Sequence, residues 1–561
     1  MNYSYTGTMP VPFFSAYYYF RKYRVGIANS ILFFLLLVYG MPSCNDSSGK
    51  TPAVPVTPLD TTITTKNAFT TLKLDSQVVS LYIDLSQMAD TTKQLMHNFY
   101  NSRNYQYAWF NEEGLSEHAG MLWNLYQDYA GYAQNALEKD SLLDKKMDQW
   151  LTDSATVPTD PSVVLETELK LTRLFFEYAF SKYVGNLKPA DLQWYIPRKK
   201  VDVTNLLDSL VAGATTYESN WEPLHPQYKL LRKKLTQLRA IKQKGGWPII
   251  NMGKRKKLEP GDKDSLVLFI KQRLAINGQY PATDSSLEYS QQLKDSIIAI
   301  QDRFGLPPNG IIGTATVNEL NISVDERIQQ LLVNMERTRW LPQQPDGKWI
   351  LVNIPSFSLR VYNNDTSVLT MKIVAGAAAT QTVIFSDDLK YIVFSPYWNV
   401  TPTIVREEMV PAMKKNPNYL KRNNMEQTGT SGGLPVIRQL PGASNALGLV
   451  KFLFPNNYNI YLHDTPSKSG FSQANRALSH GCVRLSDPFA LAKLLLKEDP
   501  SWTDEKIKEA MNKKKESWVT LKQHIPVFIT YFTAWVDENG NLQLRNDIYG
   551  HDKRMEEQLF N

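Results

Sequence analysis

The sequence predicts a multidomain α+β protein, with a helical scaffold, a small three-helix domain and a mostly antiparallel β-sandwich or barrel that carries a lid insertion. The 561 residues are too many for a single hydrophobic core. Apolar residues recur at three- and four-residue spacing up to about residue 245, and they alternate with polar residues after residue 347. A hydrophobic content of 43% and an aromatic content of 11% are typical of a folded chain.

The N-terminal segment, residues 1–44, has the feature order of an export signal. The basic stretch RKYR precedes an apolar run over residues 25–40, and MPSC follows, ending at Cys44. This order is typical of a signal peptide, and the run is short for a membrane span. The segment resembles a bacterial lipoprotein signal, which implies lipidation of Cys44; an uncleaved signal anchor is the alternative. Residues 45–65 are a polar linker, so we expect an exported, periplasmic, membrane-anchored protein.

Charge and histidine placement exclude some classes of partner. The net charge is +7, and Arg21, Lys22 and Arg24 supply three of the positive charges. The remaining bias is weak; it suits an anionic polymer and does not predict a nucleic-acid partner. The seven histidines form no spaced cluster with Asp, Glu or Cys, so we expect no metal site and no cofactor.

Two helical regions precede the β-rich part. Residues 66–245 predict a scaffold without a catalytic cluster, and its apolar stripes are typical of plain core. Residues 258–321 predict three short helices, with a stop at Asn277-Gly278 and a turn at Asn309-Gly310. This order of helices and turn resembles the peptidoglycan-binding domain of cell-wall enzymes. A three-helix module without a ligand is the alternative.

The β-rich part starts at residue 347. We expect an antiparallel sandwich or barrel over residues 347–500, interrupted by residues 400–447. That interruption has a helical start and then a Gly/Ser/Asn-rich stretch, and loops of such length are typical of lids or binding loops. Residues 515–561 predict C-terminal strands, in which Asn539-Gly540 marks an extra hairpin packed on the sandwich.

The motif RALSHGCVRLS, residues 476–486, holds one of only two cysteines in the chain. A thiol becomes an effective nucleophile when a nearby imidazole takes its proton. His480 is two residues away across a glycine and is badly placed for this, whereas His463 ends a predicted strand 19 residues earlier. We therefore assign Cys482 as the nucleophile, His463 as the base and His480 to the turn. An inert buried cysteine is the alternative.

Neighbouring residues complete the predicted site. Gly481 lets the backbone approach a bound carbonyl, and the amides of Gly481 and Cys482 could both face an oxyanion. The main-chain carbonyl of Asp464 could accept the imidazole N–H of His463. Arg484 is placed to hold a substrate carboxylate with two hydrogen bonds.

His463, fifteen further residues and then SHGCVR resemble the signature of the L,D-transpeptidase (YkuD-like) catalytic domain. VNIPSFSLRVY resembles the strand that usually opens this domain. SPYWNVTPTIV, RQLPGASNALGLVKFLFPN and YLHDTPSKSGF resemble the large, lid-bearing branch, which also carries a scaffold and a peptidoglycan-binding domain. The resemblance implies that the cysteine attacks the bond between the third residue of a donor tetrapeptide stem and its terminal D-Ala. The amine of an acceptor stem then resolves the thioester to give a 3→3 cross-link. Further candidates for substrate contact are Ser479, His480, Tyr397, Trp398 and Asn445.

Two other functions remain open from the sequence. Water could resolve the thioester, which would make the protein an L,D-carboxypeptidase or hydrolase on the same fold. A non-catalytic cell-wall-binding lipoprotein is the alternative from a different class. A reactive thiol that attacks acyl groups also predicts inhibition by carbapenem-type β-lactams.

Overall fold

The structure, a computed structural model, describes residues 69–133, 137, 139–158, 160–212, 222–342 and 344–560. The predicted export segment with Cys44 and the whole predicted linker, residues 45–65, lie outside these residues. Among the described residues, no helix combines the length and the apolar character needed to cross a membrane.

The first domain is helical, as predicted. Several of its helices start at an aspartate or serine whose side chain accepts hydrogen bonds from first-turn N–H groups, as Asp75, Ser116 and Asp202 do. Their apolar faces meet in one core rich in aromatic side chains. The elements are α1 (Ser76–Leu85), α2 (Asp90–Ser102), β1 (Phe110–Asn111), β2 (Gly114–Leu115), α3 (Glu117–Tyr132), α4 (Ser141–Thr152), α5 (Pro161–Ala179), β3 (Trp194–Tyr195), α6 (Val203–Val211) and α7 (Pro226–Gln243).

The second domain has the three predicted helices around its own small core. Gln301 fixes the predicted turn, because its side-chain oxygen accepts from the Gly310 N–H at 2.9 Å and its amide donates to the Ile311 carbonyl at 2.8 Å. Gly310 has a φ of +69°, which a glycine adopts without strain. The elements are β4 (Lys257–Leu258), α8 (Ser265–Ala275), α9 (Gln291–Arg303), β5 (Ile312–Gly313) and α10 (Thr314–Asn321).

A single helix, α11 (Val324–Arg339), joins the domains. A capping box between Ser323 and Glu326 starts it. Leu331 packs in the scaffold core, whereas Val333 packs in the core of the β-rich domain. The two cores therefore share one rigid element.

The third domain is a closed barrel of mixed but mostly antiparallel strands, which confirms the predicted class. Around the ring the order is β13-β14-β16-β8-β7-β6-β17-β9, and β9 pairs again with β13. In the ring only β14–β16 and β6–β17 are parallel pairs. The strands are β6 (Lys348–Asn353), β7 (Ser358–Asn363), β8 (Thr366–Gly376), β9 (Ile384–Phe394), β13 (Val450–Leu453), β14 (Leu462–His463), β15 (Ala477–Ser479), β16 (Val483–Leu485) and β17 (Ser517–Thr530), with helices α15 (Pro488–Leu496) and α16 (Asp504–Met511) before β17.

The insertion over residues 400–447 is a small folded unit. Val400, Val405, Met409 and Ile437 form a separate cluster inside it. A turn at Gly432-Gly433, both with positive φ, closes its hairpin. Its elements are the strand β10 (Trp398–Asn399), the helices α12 (Pro402–Ile404), α13 (Val410–Lys415) and α14 (Tyr419–Arg422), and the strands β11 (Met425–Ser431) and β12 (Leu434–Gln439), with sheet order β10-β12-β11.

The C-terminal part differs from the prediction. β17 is not an addition to the sandwich, because it lies inside the barrel between β6 and β9. The predicted hairpin around Asn539-Gly540 does form, as β18 (Ala534–Val536) and β19 (Leu542–Leu544), and α17 (His551–Leu559) follows. The apolar side chains of this hairpin, however, pack in the scaffold core. Gln227 of α7 exchanges two hydrogen bonds with the Val536 backbone.

Candidate active site

The parallel pair β14–β16 brings the predicted histidine and cysteine to one surface. Leu462 pairs with Val483, and His463 pairs with Arg484. Leu462 and Val483 are fully buried in the barrel core. Because side chains alternate along a strand, His463, Cys482 and Arg484 share the opposite, outer face. Tyr461 shares it too, with its ring centroid 5.6 Å from that of His463.

His463 is held in one tautomer. Its side chain is buried, and Nδ1–H donates to the main-chain oxygen of Asp464 at 2.5 Å, which confirms the predicted contact. Since a carbonyl can only accept, the proton sits on Nδ1 and the neutral ring keeps a lone pair on Nε2. Burial, and then the charge of Arg484, lower the pKa of His463 to about 4. The imidazole is therefore neutral and ready to act as a base at neutral pH.

The carbonyl that orients His463 is itself fixed by the segment that follows the lid. The Asp464 carboxylate accepts from Lys468 Nζ at 2.7 Å and from the Leu449 N–H at 2.9 Å. Gly448 lies directly against it with a φ of +63°, and a Cβ there would be 2.4 Å from the Asp464 carboxyl carbon. The segment that follows the lid thus sets the position of Asp464, and Asp464 sets the orientation of the imidazole.

Cys482 is half-buried, and its thiol contacts Asn459 rather than His463. Sγ lies 3.6 Å from the Asn459 carbonyl oxygen, and no hydrogen bond joins Sγ to the His463 ring within the described chain. Burial raises the pKa of the Cys482 thiol, although hydrogen bonding by Tyr461 and the charge of Arg484 oppose the shift. The resting state is therefore a neutral thiol beside a neutral imidazole, and a side-chain rotation has to bring Sγ toward Nε2.

The turn that presents Cys482 corrects one prediction. The Gly481 N–H donates to Ser479 Oγ at 3.2 Å, and Ser479 Oγ donates to the Cys482 carbonyl at 2.6 Å. The Gly481 amide is thus already engaged and does not face an oxyanion, because the buried serine closes the turn. The Cys482 N–H has no hydrogen-bond partner among the described residues, so it remains a free donor. Gly481 is needed for its φ of +113°.

A loop that sequence reasoning missed supports this turn. Thr382 Oγ1 donates to the Gly481 carbonyl at 2.7 Å, and Thr380 Oγ1 donates to the Ser479 carbonyl at 2.8 Å. Gly376 permits this close packing, since a Cβ there would lie 2.1 Å from the Thr380 carbonyl oxygen. A scan for charged or nucleophilic motifs does not detect these threonines. Their hydroxyl groups bond to main-chain carbonyls of the cysteine motif, which lies 99 positions later in the chain.

Arg484 remains a good candidate for holding a carboxylate. Burial lowers the pKa of its guanidinium, and its Nε makes no hydrogen bond to any residue the structure describes. An incompletely bonded guanidinium on the same face as the thiol favours an anionic ligand. Its charge also acts on both Cys482 and His463.

The other predicted substrate contacts have different surroundings. His480 is exposed and pairs with Glu408 of the lid at 3.2 Å, instead of packing inside the turn. Tyr397 lies under the guanidinium of Arg438 at 4.3 Å, and Trp398 begins the lid sheet.

Asn445 is a correction. It is fully buried, and its amide donates to the carbonyls of Pro396 at 3.0 Å and Leu440 at 2.9 Å. Its oxygen accepts from the Leu447 N–H at 2.8 Å. With these groups engaged, Asn445 anchors the base of the lid and does not face a substrate.

Comparison with family models assigns three stretches of the chain. Residues 347–504 match the L,D-transpeptidase catalytic domain (YkuD), and residues 94–235 match a scaffold domain. Residues 263–320 match a domain described provisionally as peptidoglycan-binding. These matches confirm the resemblance drawn from the motifs.

Relatives were also found among curated proteins and solved structures. A Haemophilus influenzae protein, provisionally named L,D-transpeptidase, is 35% identical over 256 residues, which are 43% of this chain and 50% of that protein. This chain thus spans about half the length of that relative. An L,D-transpeptidase structure from Stackebrandtia nassauensis is 15% identical and covers 50% of this chain and 96% of its own, with a TM-score of 0.21. L,D-transpeptidase 3 from Mycobacterium tuberculosis, in complex with a faropenem-derived adduct, is 12% identical, covers 34% of this chain and 62% of its own, and has a TM-score of 0.17.

Proposed function

We propose that this chain, which carries an L,D-transpeptidase catalytic domain over residues 347–504, forms 3→3 peptidoglycan cross-links through a thioester on Cys482. The observation that carries the proposal is the shared outer face of β14 and β16. On it lie a thiol, an imidazole held with its Nε2 lone pair free, an unengaged main-chain N–H and a guanidinium. These are the groups that acyl transfer by a cysteine requires.

In the first step, the thiol of Cys482 attacks the carbonyl carbon that joins the third stem residue to D-Ala. His463 Nε2 takes the thiol proton as the C–S bond forms, since neither group is charged at rest. The Cys482 N–H donates to the oxyanion, and Arg484 holds a carboxylate of the donor. The C–N bond then breaks, His463 returns the proton to the departing D-Ala amine, and the thioester remains.

In the second step, the side-chain amine on the third residue of an acceptor stem attacks the thioester. His463 accepts the amine proton and returns it to the sulfur, which restores the thiol and leaves an amide between the two stems. Water in place of the amine would give a shortened monomer. The lid, with its separate core and its anchor at Asn445, is the part of the domain that would decide between these two acceptors.

The reaction is tested with purified residues 65–561 and a disaccharide-tetrapeptide, with products identified by mass spectrometry. We expect a dimer that lacks one D-Ala, formed by the wild type and absent with Cys482→Ala. A monomer that has lost D-Ala and gained water would make the protein an L,D-carboxypeptidase. Unchanged substrate with both proteins would contradict enzymatic function and favour a wall-binding role.

We also propose that carbapenem-type β-lactams acylate Cys482, because their strained ring is an acyl donor for a thiol paired with a base. Intact mass should rise by one inhibitor molecule in the wild type and stay constant in Cys482→Ala. Since Cys482 is the one cysteine in residues 65–561, the variant leaves no other thiol to react.

The location of the protein follows from the predicted lipoprotein signal and is a proposal of the same kind. We propose export to the periplasm and lipidation of Cys44, with anchoring in a membrane. Metabolic labelling with a fatty acid should mark the wild type and not Cys44→Ala. Labelling of neither protein, together with retention of residues 1–43, would support the uncleaved signal anchor.

A further inference from the structure

The turn that carries the cysteine leaves one main-chain donor free for an oxyanion, the Cys482 N–H. The neighbouring Gly481 N–H donates to Ser479 Oγ at 3.2 Å and is not available. Oxyanion holes combine main-chain N–H groups with side-chain donors, among them the hydroxyl of tyrosine. A second donor for the proposed reaction has therefore to come from elsewhere on the outer face of β14 and β16.

Tyr461 is fixed on this face by the sheet itself. Its main-chain oxygen accepts from the Val483 N–H at 3.2 Å, which continues the parallel pairing of Leu462 with Val483. This register places Tyr461 beside Cys482. The Tyr461 ring also packs on the His463 ring, with centroids 5.6 Å apart and planes 62° from parallel. One phenol side chain thus lies against both the nucleophile and the base.

The hydroxyl of Tyr461 is directed at the sulfur. Both the side chain and the main-chain N–H of Tyr461 form hydrogen bonds with the Cys482 thiol, and both lower the thiol pKa. Within the described chain this hydroxyl has no other hydrogen-bond partner. Burial raises the pKa of the Tyr461 phenol, and the neighbouring Cys482 raises it further, so the phenol stays protonated at neutral pH. It is a permanent hydrogen-bond donor to this place in the site.

Rotation of the thiol would pass this donor from the sulfur to the substrate. At rest Sγ lies 3.6 Å from the Asn459 carbonyl oxygen, and attack requires it to turn toward His463 Nε2. A change from one staggered rotamer to another moves Sγ by about 3 Å. The oxygen of an attacked carbonyl group lies about as far from the attacking sulfur, so it can occupy the place that Sγ leaves. The donors that face this place belong to Tyr461, since the Asn459 carbonyl can only accept.

We propose that Tyr461 is a catalytic residue whose hydroxyl donates to the oxyanion, together with the Cys482 N–H. As the C–S bond forms, the π electrons of the substrate carbonyl move onto its oxygen, and the thiol proton passes to His463 Nε2. Tyr461 keeps its own proton and stabilises the charge by a hydrogen bond. When the C–N bond breaks, the oxygen becomes neutral again. The inference rests on the proposed function and supplies that reaction with its second oxyanion donor.

The test compares two reactions of the Cys482 thiol. Acylation by a carbapenem passes through an oxyanion, whereas alkylation by iodoacetamide displaces iodide from a saturated carbon and forms none. Both rates are measured by intact mass across a range of pH, on the purified full chain with Cys44→Ala, which leaves Cys482 as the single thiol. Tyr461→Phe should lower the ratio of the acylation rate to the alkylation rate by about 100-fold at each pH, the usual cost of one lost oxyanion donor.

Turnover gives a second measurement of the same effect. For release of D-Ala from the disaccharide-tetrapeptide, Tyr461→Phe should lower kcat by a similar factor and leave KM unchanged, because the hydrogen bond to the oxyanion exists only in the transition state. The variant keeps the ring that packs on His463, so its melting temperature should stay close to that of the wild type. An unchanged rate of alkylation at high pH, where the thiol is fully ionised, would confirm that the site is folded.

Tyr458→Phe is the matched control, since it removes the same hydroxyl from a nearby tyrosine that is 40% exposed and whose ring packs on Phe385. It should react in both assays as the wild type does. If Tyr461→Phe slows acylation and alkylation in parallel, the hydroxyl only adjusts the thiol pKa and the proposal is overturned; unchanged acylation would overturn it as well. A wild type that is alkylated but neither acylated nor able to release D-Ala would refute the proposed reaction, and the donor with it.

Discussion

Gly448→Ala tests whether the segment that follows the lid sets the orientation of the catalytic imidazole. The added Cβ would lie 2.4 Å from the Asp464 carboxyl carbon, so Asp464 would have to move by about 1 Å to reach ordinary contact. Asp464 also carries the carbonyl that accepts the His463 proton at 2.5 Å. We expect a fall of about 100-fold in kcat, because misplacing a catalytic group by about 1 Å costs roughly that factor.

The free energy of unfolding of each variant separates local backbone strain from the effect on catalysis. A non-glycine residue at a φ of +63° costs about 1–2 kcal/mol, and overpacking against Asp464 adds about 1–3 kcal/mol. Gly432→Ala is the matched control: its φ is +58°, and nothing lies within 4 Å of its added Cβ. Gly432→Ala should lose only the stability that the strained backbone costs, about 1–2 kcal/mol, and keep the activity of the wild type.

The assay is D-Ala release as a function of pH, beside calorimetric melting of each variant. Losing the hydrogen bond to Asp464 removes an interaction that raises the pKa of His463, so the acid limb of the Gly448→Ala profile should move further toward acid. If Gly448→Ala and Gly432→Ala have the same kcat, or if the acid limb does not move, the coupling between the segment after the lid and the imidazole is refuted.

Three further predictions concern the same site. Because His463 must be neutral to act as a base and its pKa is about 4, kcat/KM of the wild type should stay constant as pH falls and decline only near pH 4. A decline near pH 6.5, the ordinary pKa of histidine, would contradict the argument that burial lowers the pKa of His463. Thr382→Val leaves the buried Gly481 carbonyl without its donor, so it should lower the free energy of unfolding by about 1–3 kcal/mol and slow acylation by carbapenems. Thr382→Ser keeps the hydroxyl and should retain the stability and the acylation rate of the wild type. Equal effects of the two variants would contradict a role for the hydroxyl. His480 and Glu408 are both more than half exposed, so a double-mutant cycle with His480→Gln and Glu408→Gln should give a coupling free energy below about 1 kcal/mol that disappears at high salt. A larger coupling that persists at high salt would show that the pair is shielded from solvent.

Local patterns predicted most of what lies close together in the chain. The helices in the described part of residues 66–245, the turn at Asn309-Gly310 and the hairpin at Asn539-Gly540 all appear where the sequence predicts them. His463 at the end of a strand and Cys482 beside a glycine also follow from local chemistry. The Asp464 carbonyl could be assigned because a neighbouring side chain cannot easily reach back, which leaves the main chain as the acceptor.

Long-range pairing accounts for the failures. β17 looked like an appendage because its parallel partner β6 is about 175 residues earlier, and no local signal records such a pairing. Asn445 looked like a polar residue in an exposed loop, yet the lid folds back and buries its amide among three backbone groups. The Gly481 amide looked free because the competing acceptor, Ser479 Oγ, comes into range only once the turn is tightened by Thr380 and Thr382.

The contacts of Cys482 and His463 with their neighbours all affect the protonation state of the site at rest. A preformed thiolate would be exposed to oxidants and to stray acyl donors, whereas burial keeps the Cys482 proton in place and the His463 ring neutral. Reaction then requires Sγ to leave the Asn459 carbonyl and turn toward an imidazole whose direction is already fixed by Asp464. Because Arg484 favours the thiolate and opposes the imidazolium, a substrate carboxylate that neutralises Arg484 would make protonation of His463 easier and ionisation of Cys482 harder. A bound carboxylate therefore favours proton transfer to His463 that accompanies acyl attack, in which no free thiolate forms, over ionisation of Cys482 in advance.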